Sequence, residues 1–600
     1  MEFFRRIDIT IHAYSLRPDG VLFISSLARW QQKTIFAVHI KIHLHNQRMQ
    51  IVRTILFWAL FAGWAGNQDI LAQDASRIPP EKPKIIVGIV VSQMRYDYIQ
   101  RFWDKLDENG IRRIVNRGSV CKNASFNYLF SQEGVGHASI STGTTPSDHG
   151  IVGHKWYLYL QDRIEQSAED QQHKAVGGDT DNGHFSPRNL MCTTFSDELR
   201  LSDNFRSKVF SVSLDAAPGI FSAGHTANAA YWFDQRTGNW ITSTYYADTL
   251  PSWVDDFNHK RFPDIYLKEV WNPLLPVSDY TESLPDKNKY ETGFKGQVTF
   301  PYELADLSEI KRNKIDYSLL EKTPFGNTFT KDFASTLVVN EKLGQDDITD
   351  VLMICFTAME NIGNLFGPNS IEIEDAFLRL DREIAHFLTF LEDYIGKENA
   401  LVFLTSDHGV SQVPSYLADN KIPAGYFNQN GALSLLMSAL NNTYGRGDWV
   451  KAYHAQQIYL NRLLIEDSKI SLQQMQDYVA QFMLQFSGVA NTITAYTLQT
   501  TNFTDGVFKK IQNSYNQKRS GDVIINLKAG WVEKSEGSTG GTSSYSYDSR
   551  IPLIWYGWKI GRTSITRAVD ITDIAPTLAT FLNITFPNSC TGKPVFELIQ

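Results

Sequence analysis

Five mostly apolar runs set the frame of this chain: Ile85–Val91 (IIVGIVV), Lys208–Leu214, Val351–Thr357, Ala400–Thr405 (ALVFLT) and Pro552–Tyr556. They are continuous and rich in β-branched and aromatic residues, as strands covered on both faces require. Between the third and fourth, Phe377, Leu380, Ile384, Phe387, Leu388, Leu391 and Ile395 recur at helical spacing after Pro368–Ser370. That spacing predicts one long amphipathic helix. Strands alternating with helices predict an α/β fold, a mostly parallel central sheet with helices on both faces. Two regions break the alternation. Residues 232–324 are aromatic and turn-rich, and 415–534 mix helical runs with polar loops. Both read as cap insertions over the sheet edge where ligands bind.

Before residue 84 the pattern changes. Residues 1–48 are rich in Arg, Lys and His without amphipathic periodicity, and read as an upstream extension that is not native to the protein. A leader follows at 49–73, with Arg53 as its charged start, Ile55–Gly66 as its apolar centre and a small-residue cleavage site near Leu71-Ala72-Gln73. The apolar centre is too short to span a bilayer comfortably. The expected mature protein is exported to the periplasm or cell envelope, has no transmembrane anchor after cleavage, and starts near Asp74. Residues 74–83, with Pro79, Pro80 and Pro83, form a stiff linker into a domain at 84–600. The alternative is a genuine extension with an uncleaved anchor.

Composition narrows the function classes. An apolar content of 42% with 20% charged residues is that of a folded globular chain. A net charge of −8 argues against a general nucleic-acid partner. Cys121, Cys192, Cys355 and Cys590 match no zinc or redox spacing, and one disulfide is possible among them.

The chemistry concentrates after the fourth strand, which runs into Asp407-His408-Gly409. In open α/β sheets, ligands gather beyond the carboxyl ends of the strands. A carboxylate and an imidazole placed there side by side suit zinc or a harder divalent ion. The plainer reading makes Asp407 a turn cap and His408 a polar loop residue.

Six segments, in order, then carry a resemblance: VVSQMRYDY (Val90–Tyr98), Gly136–Trp156, Ser222–Asp234, Phe366–Asp381, FLTSDHGV (Phe403–Val410) and Val569–Leu582. Together they resemble the alkaline phosphatase superfamily, in particular the exported bacterial phosphate-irrepressible phosphatases and the nucleotide pyrophosphatase/phosphodiesterases. The resemblance implies two zinc ions at the strand ends with a Thr or Ser nucleophile between them. It also implies a ligand type at each matching position, and this chain departs from most of them. Ser92 stands where a ligating Asp is implied, and Asn364 where a His is implied. Glu360 replaces an Asp, and Gly541, or its neighbour Gly540, falls where the last His is implied. Glu133 occupies the nucleophile position. His154, Asp215 and Ala217 occupy positions whose Asn, Lys and Arg would hold phosphate. Asp407 and His408 match.

Neutral Ser, Asn and Gly in place of charged or imidazole donors weaken a zinc site, which normally needs four ligands. The expected function is therefore that of an exported pseudophosphatase acting by binding, with an envelope protein, a glycan or a lipid head group as partner. At most one divalent metal such as zinc is expected, on Asp407 and His408 with Glu133 or Glu360. The alternative is a divergent metal-dependent phosphatase or phosphodiesterase using that reduced site. Plainer roles also stand: Glu133 as a helix cap, His154 as a loop histidine, and His137, His149 and His225 as packing or hydrogen-bonding residues.

Overall fold

A strand apolar at every position needs a core on each side, and the first strand has both. The computed structural model describes residues 81–599, apart from 133, 179, 310–314, 535–538 and 540–542. The expected extension at 1–48, the leader at 49–73 and most of the 74–83 linker lie outside the described residues, as do Glu133, Gly540 and Gly541. In β1 (Ile85–Val91), Ile85, Val87, Ile89 and Val91 enter one hydrophobic core while Ile86 and Val90 enter the other. Two further strands, Asp350–Phe356 and Ala400–Thr405, divide in the same way.

In chain order the sheet also contains β2 (Ser119–Ser125), β3 (Val209–Ser213), β4 (Ala229–Asp234) and β5 (Asn239–Ser243). Asp350–Phe356 is β6 and Ala400–Thr405 is β7; β8 (Leu553–Gly557) and β9 (Ser564–Asp570) complete the main strands. Their spatial order is β2-β8-β7-β1-β6-β3-β4-β5, with β9 beside β2 and a two-residue strand at each end. The centre, β7-β1-β6-β3-β4, is parallel throughout. β8 runs antiparallel to β7, and β5 to β4. The fold is thus α/β, with a mostly parallel central sheet.

Four helices place the site. α1 (Val135–Thr142) and α2 (Ala216–Ala223) pack on one face of the sheet. α3 (Ala358–Phe366) and α4 (Ile371–Ile395) pack on the other. α4 is the helix read from the sequence, and Ser370 caps it by accepting a hydrogen bond from the Ile373 N–H at 3.1 Å.

The expected insertion boundary at 232 needs correction, because Trp232 lies inside β4 and the following strand continues the main sheet. Trp232, Phe233 and Trp240 belong to this buried hairpin. Residues 415–534 carry a separate four-stranded antiparallel sheet, with its own core around Leu436, Trp449, Val479 and Ile525. Arg519 ties this region to the main unit: its guanidinium donates to the Gly150 and Asn189 carbonyls and lies over the Trp156 ring. The four cysteines are free thiols. Among the described residues, no helix is long and apolar enough to cross a membrane.

Candidate metal centre and the adjoining cavity

The carboxyl ends of β1, β6, β7 and β3 deliver, in turn, Ser92, Glu360 on α3, Asp407 with His408, and Asp215 at the start of α2. Parallel strands point their ends to the same side, so residues hundreds of positions apart meet there. Ser92, Glu360, Asp407 and His408 form one cluster. Asn364 joins it through Gln93, whose Nε2 donates to Asn364 Oδ1 at 2.9 Å. His154, Asp215 and Ala217 line a neighbouring cavity.

Asp407 is fully buried and surrounded by protein donors. The Ser92 hydroxyl donates to its Oδ2 at 2.7 Å, and the Gln93 N–H to its Oδ1 at 3.1 Å. Gln93 reaches that position with a left-handed φ of 60°. His137 Nε2 stands 3.4 Å from Oδ2, an ion-pair distance without hydrogen-bond geometry. Burial disfavours the Asp407 charge, but His408, His137 and Ser92 outweigh it and hold its pKa well below the usual carboxylate range. Burial likewise opposes charge on His137, yet Cys355 and Asp407 raise its pKa to about 10. The other side of the ring is anchored by Ser222 Oγ, 2.9 Å from Nδ1.

His137 therefore belongs to the site, where the sequence reading made it a packing or hydrogen-bonding residue. No local signal distinguishes it from His149 or His225. His149 Nδ1 accepts from the Ile151 N–H, and His225 Nε2 faces the Cys192 carbonyl, both away from the cluster. Only the seating of α1 against the end of β7 identifies His137. Gly136 permits that approach, because a Cβ there would lie 2.3 Å from the Asp407 carbonyl oxygen.

His408 faces Glu360, with Nε2 3.3 Å from Oε2. Its Nδ1 lies 2.7 Å from the Gly409 carbonyl, so Nδ1–H donates to the backbone and Nε2 points into the cluster. A backbone partner of this kind orients metal-ligating imidazoles. Burial opposes the His408 charge, while Asp407 and Glu360 lift its pKa to about 10. Glu360, Asp407 and His408 each offer one ligand atom, all within 4.8 Å of one another. This donor set suits one divalent ion. Among the described residues it is the one such group, and the neighbouring Ser92 and Asn364 are neutral and engaged in hydrogen bonds.

The adjoining cavity has a volume of about 200 Å³ and sits beyond the end of β3. Asp215 occupies the N-cap position of α2 without making a side-chain cap hydrogen bond. Ala217 contributes a methyl group where the resemblance implied an arginine. His154 is exposed to solvent on one side, and partial desolvation and Lys155 lower its pKa against the opposing pull of Glu360.

The mostly parallel sheet with its site at the strand ends has the alkaline-phosphatase-like fold. Residues 86–547 match the model of the type I phosphodiesterase / nucleotide pyrophosphatase family, and the chain belongs to that family. It is 39% identical to alkaline phosphatase PafA of Elizabethkingia meningoseptica over 534 residues, 88% of this chain and 96% of that protein. With alkaline phosphatase PhoV of Synechococcus elongatus the identity is 37% over 546 residues, 90% and 98% of the two chains. A Myroides odoratus protein named a calcium-transporting ATPase is 39% identical over 524 residues, 87% and 95% of the two chains. The crystal structure of wild-type PafA superposes with a TM-score of 0.83 at 38% identity, covering 86% of this chain and 99% of that one.

Proposed function

We propose that this protein is an exported member of the family whose phosphatase centre is degenerate and which acts by binding. The observation that carries this reading is the hydrogen bond from Ser92 to Asp407. Ser92 stands where the resemblance implies a further anionic ligand, and it donates its hydroxyl to Asp407 Oδ2 instead of supplying a negative donor. The Gln93 N–H on Oδ1 and His137 beside Oδ2 add positive charge around the same carboxylate. Asp215 and Ala217 support the same reading, because phosphoryl transfer depends on preorganised positive charge around the transferring group. Glu133, at the nucleophile position, is no source of an alkoxide. The leader at 49–73 supports export, and an envelope protein, a glycan or a lipid head group is the class of partner such a location offers.

One observation favours a second reading. Glu360, Asp407 and His408 suffice for one divalent ion such as zinc, with Glu133 as a further donor in sequence. Such an ion would supply Lewis-acid chemistry to a reduced phosphatase or phosphodiesterase site. Metal analysis of the purified protein, followed by turnover of aryl phosphate mono- and diesters in excess zinc, separates the two. The expected rate is indistinguishable from background. Robust turnover that disappears in Asp407→Ala would overturn the binding reading in favour of the one-metal enzyme.

A further inference from the structure

A second and larger cavity, of about 1020 Å³, opens where residues 498–518 of the insertion meet the turns that follow β2 and α1. It shares no residue with the metal centre or with the cavity beside it. Side-chain amides dominate its walls: Asn127, Gln499, Gln512, Asn513, Asn516 and Gln517. Its charged groups are one carboxylate, Asp148, and two lysines, Lys509 and Lys518. Leu498 and the 44% exposed Met191 add apolar surface.

The protein itself holds these amides in place. Gln512 Nε2 donates to the Leu498 and Thr501 carbonyls at 2.9 and 2.7 Å. Asn513 Nδ2 donates to the Asn127 carbonyl at 2.7 Å, and Asn516 Nδ2 to the Ser147 carbonyl at 2.9 Å. Gln517 donates to Gln499, which donates in turn to the Tyr515 hydroxyl. Side chains fixed in this way lose little freedom when a ligand arrives. Asp148 accepts from the Thr144 and Ser147 hydroxyls on Oδ2, which leaves Oδ1 as a charged acceptor at an exposed position. Gln499, Gln517, Lys518 and Thr591 are exposed as well.

A sugar hydroxyl donates and accepts at once, and an amide offers a donor and an acceptor side by side. We propose that this groove binds a neutral oligosaccharide, with Asp148, Asn513 and Gln517 meeting its hydroxyls and Met191 and Leu498 its apolar ring faces. The volume suits a ligand of several rings. Charges of both signs, outnumbered by neutral polar groups, give no single-sign field to select an ion. An extended peptide would need an open strand edge, and the walls are helix and loop. The inference goes beyond the binding reading above, because it adds a separate site that holds whether or not the strand-end centre binds metal.

The test is a thermal-shift and calorimetric titration of the purified protein in EDTA, with maltotriose, triacetylchitotriose and the anionic trigalacturonate as separate probes. At least one neutral trisaccharide is expected to raise the melting temperature saturably. Asp148→Ala should weaken that binding about tenfold or more. Thr591→Trp, which fills the groove from an exposed loop, should abolish it independently, and the melting temperature without ligand shows that both variants fold. Retention on amylose or chitin resin distinguishes the source: retention that the trimer competes away marks a polymeric glycan, and a trimer response without retention marks a free oligosaccharide. No saturable response to either neutral trimer, a response unchanged in both variants, or a response to trigalacturonate alone that salt removes, would overturn the proposal. Turnover of phosphate esters is measured separately, so the binding reading can fail while the oligosaccharide site stands, or the reverse.

Discussion

Ser92 and Asp407 stand 315 positions apart and share a buried hydrogen bond, and the same economy of buried carboxylates recurs away from the site. Asp381 accepts from the Ile111 N–H at 2.6 Å and the Asp107 N–H at 2.5 Å. Asp350 accepts from the Lys208 and Gly344 N–H groups at 2.8 and 2.9 Å. Burial outweighs these donors and raises both carboxyls to about 6, against an ordinary value of about 4. The folded state therefore holds these protons more tightly than the unfolded chain. Each group contributes stability that is fully present below about pH 4 and lost as pH rises through 6. Asp381→Asn removes one such contribution. Urea titrations should show the wild-type-minus-variant stability falling between pH 4 and pH 7. A difference that stays flat across that range would contradict the assignment.

At the scale of elements, the close contact between α1 and the end of β7 constrains the site. Gly136→Ala should cost about 3 kcal/mol or more, because the added methyl would meet backbone and no flexible side chain could yield. Gly561 is the natural control, since a Cβ there meets nothing within 4 Å. Gly561→Ala should change stability by no more than about 0.5 kcal/mol. Equal effects of the two substitutions in denaturant melts would mean that α1 can shift away from Asp407. The cap of α4 is a milder case, and Ser370→Ala should cost about 1 kcal/mol.

At the scale of the whole molecule, two apolar cores sandwich the sheet. Cores of this size predict a fold that does not need metal-binding energy, unlike small domains that are unfolded without their ion. EDTA should shift the melting temperature by less than about 2 °C. A large drop restored by zinc would expose a ligand set beyond Glu360, Asp407 and His408. Export is tested by N-terminal sequencing of protein from the envelope fraction, with a start near Asp74 expected. Full-length protein retained in the cytosol would contradict it.

Local pattern alone determined much of this protein. β1 and β7 were legible to the residue, and α4 to its cap, because burial on two faces or one stripe leaves a continuous or 3.6-residue apolar signature. Asp407 and His408 were legible as a pair at a strand end. The half-exposed β2 carries no such signature, and the β4–β5 hairpin has the aromatic density of a loop-rich cap, so neither could be assigned without its neighbours. Tertiary structure decided what Asp407 does. Residue type shows a serine at 92 and a histidine at 137, but only the parallel order β7-β1-β6 and the packing of α1 bring them to the same carboxylate. Burial is written in a chain's local periodicity, whereas contact between residues hundreds of positions apart depends on strand order, which no single segment encodes.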